Sequence, residues 1–150
     1  MRVSNPWLII GGAMSVAAAM LHIACIFGGP DWYRFFGAGE SIARAAERGS
    51  WVPPLITLGI AFILAIWAAY AFAGAGLLPR LPVMRTALVA ISTVYLARGL
   101  IVLYPPLMER PDLSSAFMLW SSLIVLAIGI AYAVGTWRAW PFLNSKGLVA

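Results

Sequence analysis

Charged and hydrogen-bonding side chains set deep in apolar stretches have the strongest claim to chemistry in this chain. His22 lies five residues before Phe27, and Arg98 six before Tyr104, each near the end of a long apolar run. In helices each sits roughly 8–9 Å below the outer end, so the two share a depth. A neutral imidazole there can hydrogen-bond or take up a proton near pH 6–7. A guanidinium in apolar surroundings costs about 2.5–3.5 kcal/mol at mid-span, less nearer the surface, and calls for a carboxylate or an anionic ligand. Thr57 is six residues into a second apolar run, and Trp120, Ser121 and Ser122 are five to seven into another. Tyr95 is one turn from Arg98 on the same face, and Cys25 stands three residues after His22. These positions predict a polar layer in the outer half of a helical bundle. Two plainer roles compete: Arg98 can snorkel to the headgroups, and His22 can be a packing residue on the small-residue stripe Gly11, Ser15, Ala18, Cys25. Tyr95 beside Arg98 favours the inward arrangement.

The elements that must position these residues follow from composition. Of 150 residues 63% are hydrophobic and 10% charged, against about 45–50% and about 25% in an average soluble domain. Four apolar blocks, 7–27, 51–74, 83–104 and 115–137, reach the roughly 20 residues a membrane helix needs. The first exceeds the apolar core of about 7–15 residues in a secretory signal, so a retained helix is expected. Gly28-Gly29-Pro30, Pro53-Pro54, Gly74/Gly76/Pro79/Pro82 and Pro105-Pro106 mark the ends, since proline is tolerated at a helix entrance and stops continuation beyond an end. The expected fold is all-α: one domain, an up-down bundle of four transmembrane helices, with a short amphipathic helix in the first connection.

That connection, 28–50, is long for such a bundle, and long connections are often functional. "FGGPDWYRFFGAGE" mixes glycines with Trp32, Tyr33, Phe35 and Phe36, rings suited to the membrane interface. "SIARAAERG" reads as a surface helix with Ser41 as N-cap and Gly49 as stop, and Glu40 is placed to pair with Arg44. Two arrangements are open to the segment: a lid over the polar layer, with Glu40 or Asp31 as partner for Arg98, or an aromatic belt resting on the lipid surface.

Charge placement gives orientation and exclusions. Arg2, Arg80, Arg85, Arg138 and Lys146 fall on one side with no acid; Arg34, Arg44, Arg48 and Arg110 fall on the other beside all five acids. The short, purely basic connection predicts both termini cytoplasmic. The net charge of +5 is split among loops and tails with no reading motif, which argues against nucleic acid as a partner. One Cys allows no internal disulfide, one His excludes bis-His haem within a monomer, and His22 with Cys25 falls short of the four ligands of a structural zinc site. No metal and no cofactor is expected. The chain carries no GxSxG, Walker or HExxH motif and no acid inside a span.

The run "LHIACIFGGPDWYRFFGAGE" with "GSWVPPLITLGIAFILAIWAAYAFAGAGLLPRLPVMRTALVAI" resembles small, functionally uncharacterised four-helix proteins of bacterial inner membranes. The resemblance covers most of the chain; it implies architecture and an inner-membrane location and carries no activity.

Three functional readings remain. The first is binding or transport of a lipid, quinone or small anion in an outer-leaflet pocket. Its residues are His22, Trp32, Tyr33, Arg34, Glu40, Thr57, Tyr95, Arg98 and Trp120, with Arg98 holding the negative or carbonyl group. The second is a membrane enzyme with His22 as acid or base and Arg98 stabilising developing charge, which requires the two to converge on one atom. The third is a helper subunit or homo-oligomer packing through the Gly11/Ser15 and Gly129/Ala133 faces.

Overall fold

The computed structural model describes residues 5–104 and 115–143. Arg2, Glu109, Arg110, Asp112, Lys146 and the Pro105-Pro106 breaker therefore lie outside the described residues. The described chain is helical: α1 (Pro6–Phe35), α2 (Glu40–Glu47), α3 (Val52–Gly74), α4 (Met84–Gly99), a 3-10 turn (Leu100–Leu103) and α5 (Ser115–Ala139). Four of these segments are long and apolar enough to cross a membrane.

The first helix runs eight residues past its expected end. Gly29 (φ 71°, ψ −157°) breaks it, and Pro30 then opens a second short helical piece, where its missing N–H costs nothing. The breaker thus bends the element and does not end it. The chain reaches α2 through Gly39 at φ 95°. That conformation suits glycine and starts the helix at Glu40, with no side-chain cap. This corrects the expected Ser41 cap: the backbone turns two residues earlier, at Gly39, and the acidic residue complements the positive end of the helix dipole in the first turn. Gly49 (φ 71°) follows the helix as expected. Pro53 and Pro54 fall in the first turn of α3. α4 is shorter than the predicted 83–104 span, because its last four residues tighten into the 3-10 turn.

α1 packs on α3 and on α5, α4 packs on α5, and α2 lies against α1 and the start of α3. Small residues allow the close approaches. A methyl group on Gly11 would come within 2.8 Å of the Tyr132 ring, on Gly12 within 2.8 Å of Phe72, and on Gly99 within 2.5 Å of the Leu126 backbone. The Gly129 position meets Leu96 in the same way. The core holds Leu8, Leu64, Leu88, Ile91, Tyr95, Ile128 and Tyr132. Outside it, Met20, Phe27, Leu55, Phe62, Val94 and Ile124 are exposed, a surface far more apolar than water tolerates in broad patches.

At the end of the molecule where α5 stops, arginines hold carbonyls of the turn that follows it. Arg85 Nη2 donates to Trp140 O at 2.9 Å, and its guanidinium lies 4.5 Å from the Trp140 ring centre. Arg80 Nη2 donates to Phe142 O. Cations there oppose the negative end of the helix dipole and fill acceptors that have no helical donor.

Candidate functional site

The central polar feature is a hydrogen-bonded chain joining all four long helices. Ser15 Oγ on α1 lies 2.8 Å from the Tyr95 hydroxyl on α4 and 2.9 Å from the Tyr132 hydroxyl on α5. Tyr132 donates its proton to the Trp67 carbonyl on α3 at 3.0 Å. Proton counting then fixes the order. With its hydrogen spent, Tyr132 can only accept from Ser15. Ser15 has a single hydrogen, so Tyr95 must donate to Ser15. The chain runs Tyr95 to Ser15 to Tyr132 and ends on a backbone carbonyl that cannot pass a proton on. It ties four helices in one register, and the rings of Trp67, Tyr95 and Tyr132 stack around it at centroid distances of 5.0 and 5.4 Å.

Arg98, one turn from Tyr95, turns into the protein: Nη1 donates to Ser122 Oγ on α5 at 3.0 Å. Ser122 is completely buried. His22 is half-buried and its Nδ1 lies 2.8 Å from the Ala18 carbonyl of its own helix. A carbonyl accepts only, so Nδ1 carries the hydrogen, and in the neutral ring Nε2 is left as the acceptor. Thr57 donates to the Pro53 carbonyl at 2.8 Å and lies 3.5 Å from the Tyr33 hydroxyl.

The first connection folds onto the bundle by burying Tyr33 with Cys25 and Ala43. Its aromatic surface continues to α5: the Phe35 and Phe36 rings lie 6.0 and 6.5 Å from Phe117. Trp32 folds over Gly28, where a methyl group would meet the indole at 2.2 Å. Arg34 gathers the carboxylates of this end. It contacts Glu40 at 2.9 Å, Glu47 at 2.6 Å and Asp31 at 3.4 Å, while Arg44 holds the other oxygen of Glu40 at 2.9 Å. Hydrogen bonds from Arg34 and then Arg44 lower the Glu40 carboxyl from 4.5 to about 2.

Each expected site residue can now be placed. Tyr33 and Thr57 come together, as do Arg34 and Glu40, and the Glu40–Arg44 pair forms as its four-residue spacing predicts. The expected pairing of Glu40 or Asp31 with Arg98 does not form, because Arg34 is nearer in the chain and takes both acids. Tyr95 is turned toward Ser15. Trp120 is 64% exposed and stands on the outer surface of α5. His22 and Arg98 are held by different helices, and no hydrogen bond joins them. Of the stripe residues, Gly11, Ser15 and Gly129 are buried within the chain and Ala133 is half-buried. Tyr132 and the Trp67 carbonyl were missed by the sequence reading. The available signal was Tyr132 itself, a hydroxyl in an apolar run that must find a partner once buried.

Among the described residues no three His, Cys, Asp or Glu side chains gather as a metal site. Comparison of the chain with protein-family models, with curated proteins and with solved structures gives no match.

Proposed function

We propose that the chain is a multi-pass protein of a bacterial inner membrane, an up-down four-helix bundle with both termini cytoplasmic, that binds or transports a lipid, quinone or small anion at Arg98. The single observation behind this reading is the inward Arg98 guanidinium on Ser122. A neutral hydroxyl orients the charge without compensating it. The acids among the described residues, Asp31, Glu40 and Glu47, are all gathered by Arg34, which leaves the role of counter-charge at Arg98 to a ligand. A half-buried guanidinium suits a phosphate, a carboxylate or a polarised carbonyl. The aromatic surface of Trp32, Phe35, Phe36 and Phe117 at the lid supplies apolar contact for the rest of such a molecule.

Membrane embedding itself is supported by the exposed tryptophans of α5. Trp120 and Trp137 are 64% and 77% exposed. Seventeen residues separate them, about 26 Å of helix, close to the roughly 30 Å hydrocarbon thickness. Indole rings favour the two interfaces.

The test is mass spectrometry of small molecules extracted from the protein in lipid nanodiscs, comparing wild type, Arg98→Gln and the double variant Glu109→Gln/Asp112→Asn. The expected result is a stoichiometric amphiphile or anion in wild type and in the acid variant, and its loss from Arg98→Gln. Equal content in wild type and Arg98→Gln would overturn the reading.

A further inference from the structure

The two ends of the molecule differ in charge. Every acid among the described residues lies at the lid end, tied to Arg34. The opposite end, formed by residues 75–85 and the last turns of α5, carries Arg80, Arg85 and Arg138 and no acid. At this end Arg80 donates to the Phe142 carbonyl and Arg85 to the Trp140 carbonyl. The carbonyl on Arg85 positions its guanidinium and, being neutral, leaves that charge uncompensated. The same end holds the two buried polar atoms that have no hydrogen-bond partner among the described residues, Arg85 Nε and Thr136 Oγ1. Arg85 Nε can only donate, and the Thr136 hydroxyl can donate or accept.

Around these donors stand exposed apolar and aromatic side chains: Leu77, Leu78, Trp137, Trp140 and Phe142. Indole and phenyl rings of this kind settle at the level of lipid headgroups. The guanidinium of Arg85, stacked on Trp140, is then held where lipid phosphates lie. A planar fork with a fixed orientation matches phosphate oxygens in two-point contact, and clustered arginines beside a membrane helix attract anionic lipid. A neutral zwitterionic headgroup supplies the phosphate but brings its own cation, which the three arginines repel.

We propose that this basic end is a docking surface for the phosphodiester headgroup of an anionic phospholipid, seated on Arg85 and Trp140 with Arg80 and Arg138 beside it. The site is separate from Arg98 and does not depend on what Arg98 binds. Occupancy ties the residue 75–83 connection to the end of α5, so it stabilises the fold.

The test is thermal unfolding in mild detergent with added phosphatidylglycerol, phosphatidylcholine or inorganic phosphate. The comparison is between wild type, Arg85→Gln, Arg138→Gln and, as a lid-end control, Arg48→Gln. Phosphatidylglycerol is expected to raise the midpoint of wild type and of Arg48→Gln by several degrees, with phosphatidylcholine and phosphate well below it. The increment should shrink at least twofold in Arg138→Gln, an exposed position where loss of folding is not a concern, and further in Arg85→Gln. Equal shifts with the two lipids, an equal shift with free phosphate, or an undiminished increment in Arg138→Gln and Arg85→Gln would each overturn the proposal.

Discussion

At the scale of single residues, the proton order in the Tyr95–Ser15–Tyr132–Trp67 chain makes the two tyrosines unequal. Tyr132→Phe removes two bonds, the one it accepts from Ser15 and the one it donates to Trp67, after which Ser15 can still turn to Tyr95. Tyr95→Phe removes one. Bonds between membrane helices average about 0.6 kcal/mol with a ceiling near 1.7. Tyr132→Phe is therefore expected to cost roughly twice as much as Tyr95→Phe, about 1–2 kcal/mol, in denaturant or thermal unfolding. Equal costs would contradict the assigned order. Of these residues the sequence points to Tyr95, through its position near Arg98. Tyr132 escapes because its partners come from three other helices, and pairing between helices far apart in sequence leaves no local trace.

At the scale of elements, the first connection is held by the Arg34 cluster, and its pH dependence has a definite sign. The folded Glu40 carboxyl sits at about 2, below its ordinary 4.5. A depressed value contributes stability that is present above 4.5 and is lost as the pH falls toward 2. Amide exchange in α2 is thus expected to lose protection between pH 4.5 and 2 relative to α3, and Glu40→Gln should flatten that dependence. Unchanged acid sensitivity in Glu40→Gln would assign the loss to other groups. The helix pairs give a second expectation. Gly99→Ala drives a methyl group into the Leu126 backbone, whereas Gly59→Ala meets nothing within 4 Å. The first should destabilise by about 1–3 kcal/mol, and the second should be neutral or stabilising by roughly 0.5–1 kcal/mol. Thermal unfolding of both variants checks the contrast. Helix positions were legible in the chain because length and hydropathy set them. The bend at Gly29 and the early start at Glu40 were not, since both depend on backbone conformations chosen by how Tyr33 and Ala43 dock under the lid.

At the scale of the whole molecule, four long apolar helices hold the inward-facing guanidinium of Arg98, with the α2 connection at one end and a basic face at the other. The polar layer foreseen at a single depth separates into parts: His22 bonded to its own helix, Thr57 with Tyr33, and Arg98 with Ser122. Depth can be counted along a chain, but the direction in which a residue faces is set by neighbouring helices. The measurement that tests the account most directly is side-chain nitrogen relaxation of Arg98 in nanodiscs, with a water-soluble gadolinium chelate or a nitroxide on the lipid chains as quencher. The account predicts that Arg98 is spared by both while exposed Arg44 and Arg48 are broadened by the chelate. An Arg98 signal broadened as strongly as theirs would place the guanidinium at the headgroups and remove the basis for a ligand site.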